Sequence, residues 1–440
     1  MKLWRPRTKK AEYADLRLEG KTLTTVLGEH WGAGTTKKKS FKTPALAKAG
    51  LEAAIAEQRK LGFRELGEID PPAIEVPRDA GLEAEIRRHR DDPAAYLVYA
   101  DWLQGKGSKF GEMIVFANRK KQKEAAAIAA KVCALPPKLG TVTWKHGLWN
   151  TIHLQNDLEW TESFHILRFV KAVFSSPLCA ALEELKIGIL HWDNSEQNVV
   201  LAEAGKHAWA KDLLRLRLGD VGDNANVDMD HHSVGDVGKV ITKHFPNLES
   251  LHLHSGDDYG SNSPFGIAGL ELPKLKELTI ETCAMSRKRM KSLTAAKLPA
   301  LERLVVWFGE RDRGANATLA DVMPVWDGKL FPRLRHLGLC NTELVLDFIR
   351  LLPEGKIAKQ LVSLDLSKGT LGDDGIPELA EAAAKFPALE TLCVDDSWIT
   401  PAGIKALKKA YPRVKISAKD QQALVDPEDY GTDRYVRVSE

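Results

Sequence analysis

The spacing Leu-x-x-Leu-x-[Leu/Ile/Val] recurs eight times between residues 182 and 394, and it limits the folds open to this chain more than any other feature. It runs from Leu182-Leu185-Ile187 and Leu213-Leu216-Leu218 through Leu248-Leu251-Leu253 and Leu275-Leu278-Ile280. It goes on through Leu301-Leu304-Val306, Leu334-Leu337-Leu339 and Leu361-Leu364-Leu366 to Leu389-Leu392-Val394. Successive anchors lie 31, 35, 27, 26, 33, 27 and 28 residues apart. A short strand returning at that interval predicts a solenoid, because one such unit buries its apolar edge only against its neighbours. Surfaces of this kind bind partners. They seldom carry chemistry.

At 440 residues the chain exceeds the size of a single compact core, so two or three structural units are expected. With 44% hydrophobic and 28% charged residues it has the composition of a soluble globular protein, and no apolar run is long enough to span a bilayer. The first ten residues show no signal-peptide core, and Cys133, Cys179, Cys283, Cys340 and Cys393 form no C-x-x-C pair. Reduced thiols in a cytoplasmic protein are the expectation. The net charge of +3 conceals an asymmetry: residues 1–66 carry fifteen Lys/Arg against seven Asp/Glu, a surplus of eight, so the remainder carries −5. A basic head either meets a polyanion or simply keeps a small unit solvated.

That head alternates over residues 13–18 and again over 22–27 around Gly20, the period of a β-hairpin. A Gly-rich bend holding His30-Trp31-Gly32-Ala33-Gly34 leads to Lys37, Lys38 and Lys39. Thr43 then caps a helix opened by Pro44, with Ala47, Leu51, Ala54, Ile55, Gln58 and Leu61 along one stripe and Gly62 closing it. Residues 1–66 resemble the WGR domain in this order of hairpin, His30-Trp31-Gly32-x-Gly34-Thr35, Phe41, one helix and Lys60-Leu61-Gly62-Phe63. The resemblance implies an α+β fold. Its occurrence in poly(ADP-ribose) polymerases implies DNA-end contact through the motif's Trp and Arg, or a role regulating an ADP-ribosylating enzyme. Ala33 stands at the Arg position, which removes the bidentate phosphate contact. Trp31 with Lys37, Lys38 and Lys39 is the remaining polyanion-binding set, and its lysines supply point charges without sequence readout.

Residues 67–81 read as a Pro-rich linker. Asp92 and Pro93 start a helix with Leu97, Ala100 and Leu103 on one face, and a second helix is expected from Phe110 to about Cys133. The strings Leu97-Val98-Tyr99-Ala100-Asp101-Trp102-Leu103 and Gly111-Glu112-Met113-Ile114 resemble a short domain that precedes repeat regions in paralogous proteins of myxobacteria and planctomycetes. This implies a bacterial source and a connector over 82–140, with no catalytic activity attached.

The repeats fill 141–417, including weaker strands at Trp149-Ile152-Leu154 and Tyr411-Val414-Ile416, and 418–440 reads as a cap or tail. Each unit is strand, loop, helix, with a Phe/Leu-Pro-x-Leu lead-in such as Phe386-Pro387-Ala388-Leu389 that stops the preceding helix. They are similar to leucine-rich repeats of the ribonuclease-inhibitor-like kind, which implies an α/β solenoid with a parallel concave sheet and convex helices. The Asn or Cys that such repeats place three residues after the last strand apolar is present only as Cys283, so the turns are expected to rely on backbone or water.

Side chains alternate in a strand, so the residues between the buried leucines face the concave wall. The candidate protein-binding set there has a cationic and imidazole part, Arg215, Arg217, His252, His254, Arg303 and His336. Its acidic part is Glu277, Glu281, Asp365 and Asp395, and Trp307 is its aromatic anchor. His252-x-His254 near Asp257-Asp258 has metal-ligand residue types but no third ligand fixed by sequence, so no metal is expected. No phosphate loop, nucleophile elbow, zinc-protease helix or dinucleotide fingerprint occurs, so neither catalysis nor a cofactor is expected. The expected function is a non-enzymatic adaptor binding a protein of unknown identity through the concave face. Its rival is a nucleic-acid-associated factor docked by the head.

Overall fold

A computed structural model of the chain describes residues 1–5, 12–29, 34–65, 72–136, 139–155, 166–189, 197–219, 233–256, 265–423 and 434–438. Near the start, β1 (Lys2–Arg5), β2 (Glu12–Glu19), β3 (Thr22–Glu29), β4 (Thr35–Ser40) and β5 (Arg64–Glu65) form one antiparallel sheet in the order β4-β3-β2-β1-β5. The expected hairpin is β2–β3, turned at Gly20 in the left-handed region. Helix α1 (Pro44–Lys60) lies between β4 and β5, with the Thr43 hydroxyl accepting the Leu46 N–H as its cap. Leu3, Ala14, Leu16, Leu23 and Phe63 make the small core, against which Leu51, Ala54 and Ile55 pack. Leu61, placed on the apolar stripe by sequence, is exposed, because the helix ends one residue before it. Residues 30–33, with Trp31 and Ala33, lie outside the described residues.

Four short helices follow: α2 (Ala80–Arg88), α3 (Pro93–Gly105), α4 (Lys109–Asn118) and α5 (Gln122–Val132). Three sequence expectations change here. Ala80 and Gly81, read as linker, open α2 under an Asp79 cap, and Ile74 and Val76 pack on the main core. The single helix expected from Phe110 to Cys133 is two, broken at Lys120, whose φ of 60° no helix accommodates. Leu97 is exposed, because Tyr96, Tyr99, Ala100 and Leu103 form the buried face.

An eleven-stranded sheet then runs in sequence order. It starts with β6 (Gly140–Lys145), antiparallel to β7 (Leu148–Leu154). Parallel strands follow as β8 (Glu184–Ile187), β9 (Arg215–Leu218), β10 (Ser250–His254), β11 (Glu277–Glu281) and β12 (Arg303–Gly309). The sheet finishes with β13 (His336–Thr342), β14 (Ser363–Asp365), β15 (Thr391–Cys393) and β16 (Lys415–Ser417). Leu185, Leu216, Leu251, Leu278, Leu304, Leu337, Leu364 and Leu392 pair strand to strand in one unbroken row. Every anchor leucine of the repeat is buried. Burying one such side chain is worth about 1.5–3 kcal/mol, so the row fixes both register and face.

The buried face shares one apolar cluster with the helices between strands, through Leu201, Ile241, Met290, Val322 and Phe348. The same cluster takes in Ile86, Tyr96, Tyr99 and Met113 of α2, α3 and α4, so connector and repeats share one core. The chain is mixed α/β with a large, mostly parallel sheet.

The turns leaving the strands correct another expectation. Polar side chains do serve them: at the third position after the last strand apolar, Thr342 Oγ1 accepts the Leu344 N–H at 3.0 Å and the Ser397 hydroxyl donates to the Asp395 carbonyl at 3.3 Å. Ser255 and Thr282 do the same from the second position, fully buried. Thr282 accepts the Ala284 N–H at 3.2 Å, and Ser255 accepts that of Val234 at 3.1 Å. Asp365 and Asp395 accept the N–H groups of Ser367 (3.0 Å) and Lys419 (2.6 Å).

Candidate binding face

Strand alternation leaves one face of the large sheet without leucines, as the alternately buried and half-exposed pattern of β8, β9 and β10 shows. The parallel register sets its side chains in rows. One row reads Glu184, Arg215, Ser250, Glu277, Arg303, His336 across β8 to β13. The next reads Lys186, Arg217, His252, Thr279, Val305, Gly338, Asp365. Residues the sequence places 26–35 apart are therefore lateral neighbours.

In the first row a cavity of about 260 Å³ opens between Arg215, Ser250, Glu277, Arg303 and His336, with Lys276 at its edge. The Ser250 hydroxyl donates to Glu277 at 3.3 Å, and Arg215 pairs with Glu183 at 3.3 Å. His336 Nδ1 is buried and has no hydrogen-bond partner among the described residues. Burial, reinforced by the positive charges of Arg303 and Arg335, lowers the His336 pKa below the usual histidine value, so the ring stays neutral. A neutral imidazole with an unused nitrogen is a ready hydrogen-bonding point for a bound group.

In the second row and beside it, four predicted residues form one cluster. Arg217 Nη2 lies 3.0 Å from His252 Nδ1, His252 Nε2 lies 3.0 Å from Glu281 Oε2, and His254 Nδ1 lies 2.9 Å from that same oxygen. A guanidinium only donates, so His252 Nδ1 accepts and Nε2 carries the proton that goes to Glu281. The four side chains read as one hydrogen-bonded cluster. Burial works against the Glu281 charge, yet the hydrogen bonds from His252 and His254 overcome it and hold the carboxyl down at about 2. Asp257 and Asp258 lie outside the described residues, as do His231 and His232.

The other predicted residues are spread further. Trp307 is half-buried, with the Lys368 ammonium 5.4 Å from its ring centre and Cys283 and Ala284 against it. Asp365 and Asp395 are occupied by the turn bonds given above. Lys37, Lys38 and Lys39 lie on β4, an exposed edge strand. Strand alternation puts Lys37 and Lys39 on one side and Lys38 on the other. Lys39 Nζ sits 5.3 Å from the Phe41 ring centre.

Sequence reading missed Arg87 and Arg90 of the connector. Arg90, 8% exposed, donates to the carbonyls of Ala181 and Leu182 at 2.9 Å and to that of Asp212. Arg87 pairs with the Asp212 carboxylate at 2.8 Å and donates to Ala180 O at 3.0 Å. Burial lowers the Arg90 pKa from its ordinary value, an effect opposed by Glu183. The two arginines tie the connector to the leading ends of β8 and β9.

No family model and no curated protein matches the chain. Among solved structures, a Bacteroides fragilis protein from a structural-genomics programme is similar over 100% of both chains, at 18% identity and a TM-score of 0.56. That likeness is one of fold. An internalin of Listeria monocytogenes aligns with 63% of this chain and 82% of its own at 12% identity, with a TM-score of 0.28. A leucine-rich-repeat protein of Leptospira interrogans aligns with 56% and 74% at 13% identity and a TM-score of 0.21.

Proposed function

We propose that residues 141–417 are a leucine-rich-repeat solenoid and that its leucine-free sheet face binds a protein, making the chain a non-enzymatic adaptor. The observation that carries this is the row Arg215, Ser250, Glu277, Arg303, His336. It sets Arg215 and Arg303 to either side of Glu277, lines a cavity, and includes a buried imidazole nitrogen with no partner among the described residues. Fixed, mixed-sign polar groups on a rigid sheet give specificity and steer encounter with a complementary surface. The second row adds Arg217 and His252, held in place by Glu281. Residues 1–66 and 82–140 serve in this reading as a WGR-like head and a connector.

The test is capture on immobilised chain, with wild type compared to Arg303→Glu and Arg217→Glu. A specific partner retained by wild type is expected to fall at least tenfold with either reversal, while far-ultraviolet circular dichroism stays unchanged. Equal retention by all three chains would remove the face from consideration.

A second reading, nucleic-acid docking by the head, is favoured by one observation: β4 presents three consecutive lysines on a fully exposed sheet edge. Contacts of this kind release counterions, so binding weakens steeply with salt. Replacing Lys37, Lys38 and Lys39 together by Gln is expected to abolish retention on heparin or duplex DNA at 50 mM salt. If the wild-type chain flows through at that salt, this reading fails and the adaptor reading stands alone.

A further inference from the structure

Residues 434–438 lie across the turns that leave β12 to β15, and those turns meet the segment's backbone group by group. The Asn341 carboxamide, fully buried, donates from Nδ2 to Val438 O at 2.7 Å and accepts the Val438 N–H on Oδ1 at 2.9 Å. The Lys368 carbonyl accepts the Arg437 N–H at 2.8 Å, and Trp398 Nε1 donates to Tyr435 O at 3.0 Å. Asn341 and Lys368 hold φ of 50° and 67°, a conformation L-residues adopt at a cost, and it recurs at the same turn position in successive repeats. An emptied groove would strand both polar groups of the buried Asn341 amide.

Side-chain recognition accompanies the backbone bonds. Arg434 pairs with Asp374 at 2.5 Å and crosses Gly372, where any Cβ would strike its guanidinium. The Tyr435 and Trp398 rings meet edge to face at 5.0 Å. Val436 is 1% exposed, and Val438 packs on Cys283 and Ala284, the pair that Trp307 also covers. Arg437 approaches Asp396 at 3.6 Å. Backbone bonds supplying affinity and alternate side chains supplying selectivity is how peptide grooves read extended segments.

We infer that this strand-exit groove is a peptide-binding site for an extended Arg-aromatic-aliphatic-x-aliphatic segment. Residues 434–438 are its resident occupant, and a partner's segment of the same chemistry exchanges for it. The site adjoins the sheet face at Trp307, with which it shares Lys368 and the Cys283–Ala284 patch, but it uses neither polar row and stands without the adaptor reading. Tethering gives the resident segment an effective concentration on the order of 1 mM, so a free peptide competes poorly until the resident is released.

The experiment measures fluorescence anisotropy of a fluorescein-labelled peptide spanning residues 430–440 against three full-length chains. Val436→Asp places a charge in the buried aliphatic pocket and releases the resident segment; it is expected to bind the peptide at least tenfold more tightly than the intact chain does. Adding Asp374→Lys, a surface change that keeps the fold, is expected to weaken that binding at least fivefold. No peptide binding by Val436→Asp, or equal binding by the intact chain, overturns the inference. So does indifference to Asp374→Lys.

Discussion

Replacing Arg90 by Met is expected to lower the unfolding free energy by about 2–4 kcal/mol, read as a shift in the urea midpoint at unchanged slope. The side chain is buried, and its guanidinium holds three backbone carbonyls, those of Ala181, Leu182 and Asp212. Each carbonyl left behind loses a charge-assisted bond and gains no water. Methionine keeps the stem's packing, so the loss reports the polar contacts and not a void. Because those carbonyls lie at the leading ends of β8 and β9, the same substitution should free the connector first, visible as faster amide exchange in α2 and α3. A loss below about 1 kcal/mol would mean that Arg87 alone carries the junction.

Glu281 carries the second large effect. Its carboxyl is held at about 2 against an ordinary 4.5, so the folded chain binds this proton less readily than the unfolded chain. A depressed carboxylate contributes stability that is fully present above about pH 4.5 and is lost as pH falls towards 2. Two to three pH units at about 1.4 kcal/mol each give roughly 3 kcal/mol at stake in that window. The Glu281→Gln chain should therefore be less stable than wild type at pH 5 and lose less on acidification to pH 2.5. Measuring urea midpoints at those two values decides it. Parallel profiles for the two chains would show that His252 and His254 do not hold the charge.

The two predictions differ in how visible their residues are in sequence. Glu281, His254 and Trp307 each directly follow the last apolar of a Leu-x-x-Leu-x-[Leu/Ile/Val] string. Counting from that position would have set Glu281 beside His254 before any coordinates, because parallel strands in register bring equivalent positions together. The leucine rows were legible for the same reason. Arg90 was not, since its partners are backbone carbonyls 91–122 residues away, and a carbonyl has no identity in a sequence. The break at Lys120 and the turn role of Ser255 and Thr282 were also hidden. Positive φ at a non-glycine leaves no compositional mark, and a serine or threonine in a turn is not the Asn or Cys of the repeat pattern. The strand-exit groove depends on residues 434–438 folding back over turns up to 97 positions earlier, which periodicity cannot report.

The unbroken pairing of the eight central leucines also tells where this chain tolerates change. Unit length varies by nine residues, from 26 to 35, yet the partners across neighbouring strands never slip. Extra residues are thus absorbed between strands, and the lateral order of the polar rows is insulated from them. An insertion of one residue inside a strand has no such outlet: it would turn a leucine outward and a charge inward for the rest of that strand. Diversification of the partner surface can therefore proceed by substitution within the rows, while growth in size is confined to the loops and helices behind them.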